Sequence, residues 1–106
     1  MNYNKQSPDA TAKITTECGT TWSLEYYMQT YISSNGKELF GIKVDKLCAD
    51  GFIAETEETY AISDCPKKTT ALLLYLANGT VPPCVLLEMV DEWFSVNEWT
   101  NEGHIE

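Results

Sequence analysis

One histidine, four cysteines and sixteen carboxylates are the groups of this chain with chemistry to offer, and their spacing decides how much of it is usable. Nucleophilic catalysis pairs a serine or cysteine with an adjacent base, most often histidine. The only histidine, His104, stands third from the end of the sequence. A Ser-His or Cys-His engine is therefore not expected, and the chain reads as a non-enzyme without catalytic residues. Cys18, Cys48, Cys65 and Cys84 are widely separated. None is joined to another by the roughly two-to-four-residue spacer of zinc sites, so free thiols, no metal and no cofactor are expected. Cys65, beside a helix start, is the thiol whose pKa a helix dipole would lower.

Carboxylates recur at two places. Glu88, Asp91 and Glu92 share one face of a predicted helix, and Glu55 and Glu57 one face of a predicted strand. Such groups can act as general acid and base or hold Mg²⁺. They also stand where amphipathic patterning requires polar residues, and a solvated surface is the simpler reading. Aromatic residues are the most suggestive feature. Tyr27 and Tyr31 fall on the strand face opposite Trp22, Tyr26 and the aliphatic residues, while Trp93, Phe94 and Trp99 lie near the C-terminus. A sheet covered on one side would leave Tyr27, Tyr31 and Trp99 partly exposed, and exposed aromatics mark interaction surfaces. The expected interaction surface is Tyr27, Tyr31, Glu88, Asp91, Glu92 and Trp99.

The charge balance narrows the partners. The 106 residues carry a net charge of −9, and all seven basic residues are lysine. Arginine dominates bidentate contacts to phosphate and guanine, and an acidic field repels a polyanion, so direct nucleic-acid binding is not expected. The longest apolar run, Ala71 to Ala77, is seven residues, well short of the roughly 20 that span a bilayer. Residues 1–12 lack an apolar signal core, so no membrane contact and a cytoplasmic location are expected.

The elements that must position these groups follow from periodicity. Residues 1–20 are polar and read as a disordered N-terminal arm. From Trp22, apolar and polar residues alternate through Ile32; Asn35-Gly36 supplies a tight turn, and alternation resumes from Leu39 to Leu47. Phe52 to Ile62 reads as a third, edge strand, broken near Glu57 and Glu58 by its charge. Ser63 or Asp64 would cap a helix opening at Pro66, and Asn78-Gly79 would end it with a left-handed glycine. A second helix from Pro82-Pro83 to about Glu98 carries Leu86, Met89, Val90, Trp93 and Phe94 on one face. The fold class expected is α+β: a three-stranded antiparallel meander followed by two helices packed on one face (βββαα). The domain would occupy residues 21–99, with 100–106 a frayed tail.

Phe40-Gly41-Ile42-Lys43-Val44, Ile62-Ser63-Asp64, Leu72 to Leu76, Val81-Pro82-Pro83 and Val90-Asp91-Glu92-Trp93-Phe94 together resemble a known pattern. It is that of a small Firmicutes (clostridial) protein family of unknown function, of about 100 residues, matched over Leu24 to Phe94. The resemblance implies a bacterial cytosolic protein and brings no activity or functional residues. Trp93 stands where that pattern has an acidic residue, and the cysteines are not part of it.

Three roles are compatible with these features. The first is a non-enzymatic protein–protein interaction or regulatory module, binding an unknown protein or a second copy of itself as a homodimer. The second is an acidic mimic of nucleic acid that binds a DNA- or RNA-binding protein. The third is a small-molecule binder or enzyme using surface carboxylates around Glu55 and Glu57, which requires a recess beside them.

Overall fold

The computed structural model describes residues 7–102, with side chains through Ser95. Four strands, β1 (Ala10–Thr15), β2 (Thr21–Ile32), β3 (Glu38–Leu47) and β4 (Ile53–Glu58), form one antiparallel sheet in the order β1-β2-β3-β4. Two helices follow, α1 (Pro66–Asn78) and α2 (Leu86–Glu102), with a single 3-10 turn at Pro83–Val85 between them. The fold is thus α+β as expected, but its sheet has four strands rather than three. The added strand comes from the arm expected to be disordered. Ala10, Ala12 and Ile14 sit opposite Tyr26, Leu24 and Trp22 of β2 and are partly buried, whereas Thr11, Lys13 and Thr15 are exposed. Two alanines and one isoleucine are a faint signal by themselves. They become a strand because β2 offers a second edge and large side chains that small ones can pack beside.

The β2–β3 hairpin forms as its alternation indicates, with Gly36 at φ 85° in the turn. Strand β4 lies at the opposite edge of the sheet from β1 and shifts register against Lys46 and Leu47. After Glu58 the chain arches away at Thr59–Ala61, with Tyr60 at φ 61°, and rejoins β3 where Phe40 pairs with Ser63. Gly41 makes this arch possible: a Cβ there would lie 1.7 Å from the Tyr60 carbonyl oxygen.

Leu24, Tyr26, Ile42 and Val44 of the sheet pack against Leu72, Leu73 and Leu76 of α1 and Leu86 and Val90 of α2, all buried. Helix α1 covers β1, β2 and β3, and the 3-10 turn lies beside β4. A shortest dimension of 17 Å fits one helix layer on one sheet. The buried Tyr26 hydroxyl donates to the Val81 carbonyl at 2.9 Å, tying the α1–α2 connection to the sheet. Burial pushes this phenol up to about 12.

Both ends of α1 differ from expectation. Its N-cap is Cys65, with no side-chain cap. Ser63 Oγ accepts from the N–H of Cys65, the N-cap itself, at 2.9 Å, two residues too early to cap, and Asp64 instead meets Lys37 Nζ at 2.9 Å. At the C-terminus Gly79 has φ −89°, and Thr80 takes the positive φ of 48°. Thr80 N–H bonds to Ala77 O and Val81 N–H to Leu76 O, both at 3.0 Å, the pairing of a Schellman motif with threonine in the left-handed position. Helix α2 continues through Glu102, so Thr100–Glu102 of the expected frayed tail are helical. Residues 103–106, including His104, lie outside the described residues.

Candidate functional site

The uncovered sheet face carries the two tyrosines expected to be available to a partner. Tyr27 is only 4% exposed, and Tyr31 is half-buried. The register explains it. Tyr27 faces Lys43 across the β2–β3 pair, and Glu25 faces Asp45, which in turn faces Thr56 of β4. Long side chains on this face lie over one another instead of standing free. Tyr27 OH donates to Glu25 Oε1 at 2.6 Å, Thr56 Oγ1 to Asp45 Oδ1 at 2.6 Å, and Tyr31 OH to Glu58 Oε1 at 3.2 Å. Lys43 Nζ lies 3.7 Å from Asp45 Oδ2 and 4.8 Å from the centre of the Tyr27 ring. Burial, then the neighbouring Glu25 and Asp45, push the Tyr27 phenol well up; burial, then Glu58, push Tyr31 up. The tyrosines are therefore spent on a satisfied internal network, and Tyr27 is corrected from exposed contact residue to buried packing residue.

The exposed surface lies instead along β4. Ile53, Ala54, Glu55 and Thr56 are exposed, and Phe52 just before them is 72% exposed. Glu55, Thr56 and Glu57 line a recess of about 240 Å³ together with Pro83 and Cys84 of the 3-10 turn. Glu55 Oε1 approaches Lys46 Nζ only at 4.0 Å, and Glu58 is held by Tyr31. The sequence placed charge on this edge, but not the exposure of Phe52 and Ile53 or the approach of Pro83, which depend on how the α1–α2 connection returns to the sheet.

A second recess, about 490 Å³, lies between the β1–β2 and β3–β4 turns and is lined by Gly19, Thr20, Thr21, Trp22, Cys48 and Ala49. Lys46 Nζ sits 4.5 Å from the Trp22 ring centre. In the β1–β2 turn, hydrogen bonds with the Thr16 and Thr20 hydroxyls hold the exposed Cys18 thiol below its ordinary range. All four cysteines are free thiols. Among the described residues no group of three or more His, Cys, Asp or Glu side chains is placed to hold a metal. No described helix is long and apolar enough to cross a membrane. On α2, Glu88, Asp91 and Glu92 are exposed side by side, with Leu87 half-exposed among them. The Trp99 side chain lies outside the described residues.

Residues 5–96 match a family described as "Family of unknown function (DUF6514)". The chain belongs to this family. No curated protein and no solved structure matches it. The DUF6514 match begins ahead of β1 and ends within α2, so it takes in all four strands, the recess beside β4 and the exposed carboxylates of α2. A small family of unknown function is what the hydrophobic motifs implied, and the match is longer than Leu24 to Phe94 because the β1 segment belongs to it.

Proposed function

We propose that this DUF6514 protein is a non-enzymatic protein-interaction module of the bacterial cytosol, and that its docking surface is the outer edge of β4 rather than the tyrosine face. One observation supports this above the others: an edge strand with four of its six residues exposed, opening on Phe52 and Ile53 and continuing into carboxylates. Large exposed apolar side chains beside charge are characteristic of surfaces used by partners. The test is affinity capture with the tagged full chain from host lysate at low and moderate salt, run beside the double variant Glu55→Lys, Glu57→Lys. A partner retained by the native chain and lost with the variant is the expected result. A partner insensitive to that variant but lost when Glu88, Asp91 and Glu92 become lysine would move docking to α2. No partner, and a monomeric mass by light scattering, would remove the module reading.

Two other roles have a specific observation behind them. The recess beside Glu55 and Glu57 meets the requirement that a small-molecule or carboxylate-based role sets, although at about 240 Å³ it falls below the roughly 300–1,000 Å³ of ordinary ligand sites. The exposed acidic side of α2 would serve a nucleic-acid mimic. Such a partner would be a nucleic-acid-binding protein released by moderate salt, since exposed charges are screened beyond about 8–10 Å at 0.1–0.15 M.

A further inference from the structure

Strand β4 is paired on one side only. Its ladder with β3 is anchored where Thr59 N–H bonds to Ile42 O at 2.9 Å. Antiparallel pairing alternates from that point, so the main-chain groups of Glu57 and Glu55 turn toward β3 and those of Thr56 and Glu58 turn to the open edge. Ala54, Glu55 and Thr56 are exposed, the 3-10 turn packs beside β4 at the recess, and no described segment makes a main-chain hydrogen bond to Thr56 or Glu58. An open row of N–H and C=O groups is a template for another strand.

The side chains select which strand. Glu55 and Glu57 project to the same face, the one that also holds the recess with Pro83 and Cys84. Two residues apart on a strand, they stand about 7 Å from one another. A second copy of β4 laid against this edge would set carboxylates against carboxylates, which disfavours self-pairing. A strand with basic side chains at alternate positions would match the same spacing. The aliphatic stems of lysine or arginine would lie along the exposed Cys84 side of the recess while their charged ends reach the carboxylates.

We infer that the β4 edge accepts, by strand addition, an extended segment of another protein in which lysine or arginine alternates with small or apolar residues. The inference rests on the interaction-module reading and supplies its partner chemistry. Main-chain bonds to Thr56 and Glu58 give the attachment, and Glu55 and Glu57 give the preference for basic over acidic segments.

The experiment titrates the ¹⁵N-labelled full chain with three synthetic peptides: acetyl-KTKVKTK-amide, its glutamate counterpart acetyl-ETEVETE-amide, and the lysine peptide N-methylated on alternate main-chain nitrogens. The lysine peptide should bind with amide shifts at Thr56 and Glu58, at least about tenfold more tightly than the glutamate peptide. N-methylation on the pairing edge should weaken it about tenfold, since it removes main-chain donors without changing charge. Glu55→Gln with Glu57→Gln should weaken the lysine peptide and spare the difference made by N-methylation. Equal binding of the methylated peptide, shifts confined to α2, or no binding of the lysine peptide would each overturn strand addition. Capture of a partner through Glu55 and Glu57 together with failure of the lysine peptide would end this inference while the module reading stands.

Discussion

Thr80 holds a backbone conformation that the glycine just before it would hold at lower cost. A β-branched residue at φ 48° carries roughly 1–2 kcal/mol of local strain, tolerated because the Schellman bonds and the burial of Val81 and Leu76 depend on that position. Thr80→Gly should stabilise the fold by about 0.5–1 kcal/mol after the extra freedom of an unfolded glycine is counted. Thermal unfolding would show it as a rise of several degrees. Gly41→Ala should act the other way, by about 3 kcal/mol, because the Tyr60 carbonyl occupies the space of a Cβ and main chain must shift. Tyr26 gives a pH signature. Its phenol is raised from 10.0 to about 12 by burial, so above pH 10 the unfolded chain loses this proton while the folded chain keeps it. Stability contributed by the neutral phenol is present below pH 10 and is lost as pH rises toward 12. Denaturant midpoints measured across that range should fall for the native chain and fall less for Tyr26→Phe.

Among the elements, β1 is the one whose sequence signal is weakest and whose structural role is most easily tested. Thr16 N–H bonds to Thr20 O at 2.8 Å, which fixes Ala12 as a residue whose main chain faces β2 and Thr11 as one that faces outward. Ala12→Pro removes a ladder bond and should cost about 1–3 kcal/mol. Thr11→Pro removes an N–H directed away from β2 and should cost less. If residues 10–15 were an unpaired arm, neither substitution would move the denaturant midpoint. Strand β4 poses the reverse case. Its charge was legible as an edge signal from Glu55, Glu57 and Glu58, and the edge is where the structure puts it. What the pattern could not show is that its other side stays open.

For the whole molecule, a net charge of −9 means that the folded chain repels itself. Salt between about 10 and 150 mM should therefore raise the unfolding temperature of the free protein, while it weakens any complex held by the carboxylates of β4 or α2. The opposite signs of these two effects make them separable by calorimetry with and without the lysine peptide. Three lysines of the sheet region are each engaged by a carboxylate and offset only part of this field: Lys43 turns onto Asp45 and Tyr27, Lys46 onto Trp22 and Glu55, and Lys37 onto Asp64.

The sequence by itself determined the β2–β3 hairpin, the leucine stripe of α1, the acidic face of α2 and the membership of a family without an assigned activity, because each is written in local spacing or charge. Only the tertiary structure decided that residues 10–15 are a strand, since their pairing depends on the free edge of β2 and not on their own pattern. It also decided the fate of the tyrosines. Period-two alternation states which face Tyr27 and Tyr31 occupy, but whether they are exposed depends on the register that lays Lys43, Asp45 and Glu58 around them. Strand β4 ends the sheet, and the α1–α2 connection, tied to the sheet by Tyr26 and Val81, brings Pro83 and Cys84 beside Glu55 and Glu57, so the surface offered to a partner is a property of elements far apart in sequence.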